Sequence, residues 1–373
     1  MRLAWPLLAL VVGCRSTPSA APPVSASTSS PSTDRKVVSA QTWTVEYEGA
    51  LVEAISEDAH GVYVAMSMLP DPKPARLPHG PLQVDVQSVA TLWLGHDGEI
   101  REAHVFEGEG ADVGGLRGSV LTLVSWGSVR VGEDVYAAPA REAVFGMPSV
   151  AVAVRVGESA DVIAVVPDVE SAQSWPLAGD QLLVAAVHRD DMDETSTQLQ
   201  LFVHQQSLWS TAMPDREITA VLQTPQQTWV ATGTTAGSSD VRRLDLHSGE
   251  LSEPIIVVRP QPESNLAITA ITDGPRAWGE SRGIFVATTA GVERILDVAG
   301  HVAAVDDRDV LVDVYGLEPD RSAPTVDATG IYLLRRGETI RVGPAVSNPI
   351  LTTTHVVFDD DCDTSSCVRA VPR

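Results

Sequence analysis

Six segments of this chain share one pattern, an apolar strand followed by a polar turn and a second strand. They read "LWLGHDGEIREAHVF", "VAVRVGESADVIAVV", "LFVHQQSLWSTAM", "RLDLHSGELSEPIIV", "VATTAGVERILDVAG" and "YLLRRGETIRVG". Their turns centre near residues 97, 157, 205, 248, 290 and 336, so the successive gaps are 60, 48, 43, 42 and 46 residues. A period in the forties is what one four-stranded sheet per repeat requires, with the sheets set around a common axis as blades. Between the hairpins lies a second pattern, a strand pair rich in Ala and Thr, as in "VEAISEDAHGVYVAM", "ITAVLQTPQQTWVATG" and "HVAAVDDRDVLVDVYG". Small side chains suit inner strands packed closely around that axis.

From residue 41 onward, runs of Val, Ile, Thr and Leu are broken about every ten residues by Gly, Pro, Asp or Asn, and no capped stretch carries a 3.6-residue period. The fold class is therefore all-β. Six hairpins plus a last blade from residues 349–371 give a single seven-bladed β-propeller, with six or eight blades as the alternatives. The last blade lacks strands, and "TWTVEYEGA" at 42–50 can complete it, closing the ring by pairing the N- and C-terminal strands and removing exposed sheet edges. Tandem β-sandwiches are the rival architecture.

The first forty residues belong to a different regime. Met1 and Arg2 precede an apolar run, Leu3 to Val12, about half the length needed to cross a bilayer core. The run ends in "VVGC", Val11 to Cys14, which resembles the bacterial lipobox. That resemblance implies a signal peptide at 1–13, cleavage before Cys14 and lipidation of the Cys14 sulfur. Several acyl chains together give stable anchoring where one does not. Residues 14–40 are rich in Ser, Pro, Ala and Thr with little that could bury a core, and read as a disordered tether about 30 Å in end-to-end span. The folded domain is then 41–373. Arg15 stands where an aspartate marks retention in the inner membrane of Gram-negative cells. The resemblance therefore implies the cell envelope, with the outer membrane facing the periplasm or the cell surface.

In an exported chain, Cys362 and Cys367 are close enough to pair as a disulfide. Zinc would need four ligands, and no histidine lies near them in sequence. A second resemblance covers one repeat: "RLDLHSGEL", Arg243 to Leu251, is similar to the strand and turn of quinoprotein-like propeller repeats, and "LWLGHDGEI" follows it less closely. A Ser-Gly or Asp-Gly pair between alternating strands already marks a tight hairpin without that likeness.

The formal charge of −23 repels phosphate backbones, so nucleic acid is excluded as a partner. Gly279, Ser281 and Gly283 match the nucleophile-elbow string G-x-S-x-G, but strand-forming residues follow where a helix is needed, so the segment reads as a loop between strands. Nine histidines are scattered without a metal-binding spacing. Three acid clusters fall in expected loops: Asp190, Asp191 and Asp193; Asp306, Asp307 and Asp309; and Asp359, Asp361 and Asp363. The last is the best candidate for calcium, although Thr364 and Ala370 stand where an EF-hand loop needs Gly and Glu. No other cofactor is expected.

These readings lead to a membrane-anchored, exported binding or scaffold protein with a non-catalytic propeller and a protein or glycan ligand. The alternative is a propeller enzyme, a lyase or hydrolase acting on glycans or peptides at the channel mouth. Convergent His, Arg and carboxylate groups on one face would mark the enzyme.

Overall fold

The computed structural model describes residues 41–373 apart from 48, 69–74, 78–79, 83–87, 109, 138–148, 190–194, 235, 260–265, 282, 317–328, 336–337, 345–347 and 363–364. Contacts divide the chain into Met1–Ser39 and Ala40–Arg373. Cys14, the leader and the tether fall outside the described residues, as do Asp190, Asp191, Asp193 and Asp363.

Seven antiparallel sheets stand in a ring, and the fold is a seven-bladed β-propeller. Blade 1 contains Ala50–Asp58, Gly61–Met68, Ser88–Leu94 and Ile100–Gly108. Blade 2 contains Asp112–Arg117, Val120–Trp126, Ser149–Val156 and Ala160–Pro167; blade 3 contains Ser171–Pro176, Gln181–Arg189, Thr195–Val203 and Gln206–Pro214. Blade 4 contains Arg216–Gln223, Thr228–Thr234, Ser239–Leu244 and a short Ile256–Val258; blade 5 contains Ala267–Thr272, Arg276–Glu280, Ile284–Thr288 and Gly291–Leu296. Blade 6 contains Ala299–Val305, Asp309–Gly316, Gly330–Arg335 and Glu338–Gly343. Blade 7 takes Ile350–Leu351, His355–Cys362 and Ser365–Pro372 from the end of the chain, and Trp43–Tyr47 from its start as the outermost strand. The closure pairs Trp43 with Ala370 and Tyr47 with Ser366.

The six sequence hairpins are the third and fourth strands of blades 1 to 6. The 60-residue first gap has a physical cause. Between its second and third strands, blade 2 inserts an extra hairpin, Ser128–Val131 with Asp134–Ala137, which pairs with the outer strand of blade 1 and extends that sheet to six strands.

Both faces of each blade are covered by neighbours, which is why strands such as Gly61–Met68 are buried at every position. The core is accordingly divided among the seven blade interfaces. One apolar cluster joins blade 7 to blade 1 through Val45, Val64, Leu92 and Val368; the next joins blade 1 to blade 2 through Tyr63, Phe106, Leu121 and Val152. Five further clusters continue the series around the ring to Leu311, Ile331 and Phe358 between blades 6 and 7. Burying each Val, Leu or Phe side chain contributes about 1.5–3 kcal/mol.

First strands of neighbouring blades touch one another, so they are the inner strands. Those of blades 1, 2, 4, 5 and 6 each carry a bulge at one equivalent place: Glu53, Gly114, Thr219, Thr269 and Ala303. Bulges bend and twist a strand, which suits a surface wrapped around an axis.

The outer rim carries an inter-blade lock that sequence reasoning missed. Trp43, on the outer strand of blade 7, donates its indole N–H to the His96 carbonyl at 3.0 Å in the turn of blade 1. Trp209, on the outer strand of blade 3, does the same to Leu246 of blade 4 at 2.8 Å. Each ring packs on the glycine of the turn it reaches. A Cβ on Gly98 or Gly249 would stand 2.7 Å from the ring, and their φ values are +82° and +75°. These are the glycines of the Asp-Gly and Ser-Gly pairs that marked the hairpins.

Candidate functional site

In a four-stranded blade whose last strand leads to the next inner strand, the second-to-third connections and the blade crossovers lie at one end of the ring. The other two turns lie at the opposite end. Three long connections, 69–87, 127–148 and 317–329, are all of the second-to-third kind and belong to blades 1, 2 and 6. This crossover face also carries Leu51, Trp126 and Tyr315, which are 53%, 61% and 62% exposed. The turn face carries the start of the Trp43 strand and Arg373, with the Gln41 carbonyl held 3.0 Å from His355 Nε2.

Two polar clusters stand on the crossover face. In blade 4, buried Asp240 accepts from Arg216 at 2.9 Å, from Arg242 through Nε at 2.9 Å and Nη2 at 2.8 Å, and from Thr232 at 2.8 Å. Burial alone would raise its carboxyl, but the bonds from Arg242, Thr232 and Arg216 hold it below the usual range. At the junction of blades 5 and 6, His301 Nδ1 lies 2.6 Å from Glu280 Oε2. The hydrogen bond to Glu280 raises the imidazole pKa against the opposing effect of burial. Glu280 also accepts from the Val302 amide at 3.2 Å. In each cluster the carboxylate is engaged by the cationic groups beside it, two arginines on Asp240 and one imidazole on Glu280.

Ser281 lies in the connection between the second and third strands of blade 5, with Gly279 inside the preceding strand and Ser281 N–H bonded to the Gly283 carbonyl at 3.1 Å. The loop placement agrees with the sequence reading. Histidines elsewhere have separate duties: His104 meets the Gly157 carbonyl at 2.8 Å, His188 the Asp168 carbonyl at 2.7 Å, and His96 pairs with Glu57 at 3.2 Å.

The segment around Asp359 differs from the expected solvated loop. Asp359, Asp360 and Asp361 lie within the second strand of blade 7, because strand pairing continues to Cys362 opposite Ser365. Successive side chains therefore point to opposite sides. Asp360 pairs with Arg369 at 2.9 Å, and Asp359 accepts the Tyr47 hydroxyl at 2.5 Å. Burial raises the Asp359 carboxyl, the Tyr47 bond opposes this, and Asp361 and Asp360 raise it further. Among the described residues, no three acidic, His or Cys side chains converge as a metal cage, and Asp363 is not among them. Cys362 and Cys367 are joined, with S–S 2.02 Å, next to the ring closure.

Asp306 and Asp309 form the core of an ion network on the turn face. Arg373 reaches Asp306 at 2.7 Å, Asp309 at 2.8 Å and the Thr352 carbonyl at 2.8 Å, and Arg335 grips Asp309 at 2.6 and 2.7 Å. The network joins blade 6 to blade 7. Its arginines are remote in sequence from the acids, so only the acids were visible as a cluster.

No known protein family matches the chain, and no curated protein does. Among solved structures, it is similar to the Pyrococcus horikoshii acylaminoacyl peptidase, at 11% identity and TM-score 0.53, covering 88% of this chain and 53% of that one. The chain thus spans about half the length of that enzyme. It is also similar to the β-propeller domain of Cps50 (Swd1) from Myceliophteria thermophila, at 11% identity and TM-score 0.49, covering 87% of this chain and 99% of that domain. At these identities the likeness shows the fold alone.

Proposed function

We propose that the protein is an exported, lipid-anchored binding or scaffold protein whose ring presents its crossover face to a partner protein. The observation that carries this reading is the joint exposure of Trp126, Tyr315 and Leu51 on that face, in the blades with the longest connections. Trp and Tyr supply much of the energy of protein interfaces, so aromatic side chains exposed on one face suit contact with a partner. Anchorage through Cys14 fits this arrangement.

The test has two parts. Mass spectrometry of membrane-extracted protein should find a mature chain beginning at acylated Cys14; an intact, unacylated leader would overturn the anchoring. Cross-linking on cells should capture a partner with the wild type and lose it with W126A/Y315A, whose melting temperature should be unchanged because both side chains are exposed. Equal capture by both would overturn the docking face, and loss on glycan digestion would assign the ligand to carbohydrate instead.

A further inference from the structure

Half-buried arginines in this molecule are neutralised by a carboxylate. Arg216 and Arg242 share Asp240, Arg335 and Arg373 share Asp309, Arg294 holds Asp297, and Arg369 holds Asp360. Arg117, at the turn-face end of the inner strand of blade 2, is the exception among the described residues. Its Nη1 donates to the Leu116 carbonyl at 3.3 Å and its Nη2 to Gln173 Oε1 at 3.4 Å, both long bonds to neutral oxygens. The guanidinium also stands 5.5 Å from the centre of the Trp175 ring. Burial pushes its pKa down, and no carboxylate opposes that effect. A cation withdrawn from water without a counter-charge is costly, and a chain of net charge −23 is rich in acids that could have supplied one.

The wall beside the guanidinium is open for a reason that the backbone does not explain. After the bulge residue, blades 1, 4, 5 and 6 place Ala54, Ala220, Ala270 and Ala304, whereas blade 2 places Gly115. Its neighbour Gly114 has to be glycine, since a Cβ there would lie 2.3 Å from the Ala172 carbonyl oxygen. Gly115 has no such constraint. It is absent from the residues with positive φ, and the nearest atom to a Cβ there is Arg117 Nη1 itself, at 3.9 Å. Glycine in place of alanine therefore clears the space directly beside Nη1.

We propose that Arg117, Gly115 and Gln173 form an oxyanion-binding site in the channel wall between blades 2 and 3, at the turn-face end. The guanidinium retains N–H groups that its two long bonds do not use, and its fork matches two oxygens of a carboxylate, sulfate or phosphate. With Gln173 Oε1 facing Arg117, the amide NH2 of the same side chain is left to donate to the anion. The site is independent of the partner-binding face, which lies at the other end of the ring.

The experiment is a melting-temperature titration of the folded domain with acetate, sulfate and inorganic phosphate, each against chloride at constant ionic strength, followed by calorimetric titration. The wild type should show a saturable rise with at least one oxyanion. A response to acetate assigns the site to carboxylates, and a response only to sulfate or phosphate assigns it to tetrahedral oxyanions. R117Q should lose the rise, and G115A should weaken affinity by at least about tenfold while melting normally in chloride. No oxyanion-dependent rise in the wild type, the same rise in R117Q, or unchanged affinity in G115A would overturn the proposal.

Discussion

Replacing Arg373 with alanine tests whether the turn-face ion network secures the seam between blades 6 and 7. The side chain is 8% exposed and loses contacts at 2.7, 2.8 and 2.8 Å to Asp306, Asp309 and the Thr352 carbonyl. Breaking a buried ion pair from one side costs about 3–5 kcal/mol, whereas an exposed pair contributes about 0–1 kcal/mol. Asp309 is completely buried but keeps both bonds from Arg335, so the loss should fall to about 2–3 kcal/mol. A domain of this length unfolds with an entropy of about 0.7 kcal/mol/K, which converts the loss to a fall of roughly 3–4 °C in melting temperature. Urea denaturation at pH 7 would measure it, with Arg130→Ala as the control, since the Arg130–Glu107 pair is 57% and 64% exposed. Burial would raise the Asp306 carboxyl, but the bond from Arg373 and two backbone amides hold it below its usual range; the bond from Arg335 likewise lowers Asp309, there too against burial. Their folded pKa values are thus depressed. The contribution is present above the unfolded value and disappears as pH falls through the folded values, so wild type and variant should converge in strong acid. If Arg373→Ala costs no more than Arg130→Ala, or if Arg373→Ala and Asp309→Asn are additive in a double-mutant cycle, the network does not hold the seam.

Three further outcomes are expected. Gly249→Ala should destabilise by about 2 kcal/mol or more, because the positive φ and the Trp209 ring both oppose a Cβ, whereas Gly132→Ala, with φ +61° and open space, should cost only about 1 kcal/mol; urea midpoints would separate them. His301 has a raised folded pKa, so its contribution is complete below the unfolded value of 6.5 and lost as pH rises through the folded one; Glu280→Gln should return the imidazole titration, followed by NMR, toward 6.5. Opening the Cys362–Cys367 bond with Cys→Ser at both positions should lower unfolding free energy by about 2 kcal/mol, the loop-closure value for so short a loop.

The hairpin turns were legible because Asp-Gly, Ser-Gly and similar pairs act locally, fixing a strand reversal whatever surrounds it. Ring closure was legible for a related reason: the last blade was short of strands and an unassigned strand lay at residues 42–50. What sequence could not display was pairing across blades. Trp43 and Gly98 lie in different blades, and nothing local says that one packs on the other, although "TWTVE" and "LWSTA" place Trp43 and Trp209 alike on outer strands. Asp306 and Asp309 read as solvated acids because Arg335 and Arg373 arrive from other strands. Asp359 and Asp361 read as loop residues because aspartate disfavours strands. There the ladder opposite Ser365 to Val368 and the disulfide next to it outweigh local preference.

Blade 7 draws its outermost strand from the opposite end of the chain, and Tyr47 meets Asp359 across 312 residues. Synthesis from the amino end delivers Trp43–Tyr47 before any of the residues it will pair with. That strand must wait, with Val45 and Tyr47 still in water, until Val368 and Ala370 arrive. The annulus therefore behaves as a clasp fastened last. Its entropy cost grows only logarithmically with the enclosed contour, yet it is met in a single late step. Chaperones would have the longest time to engage this waiting strand, and a jammed or clipped C-terminal end would leave it permanently unfastened.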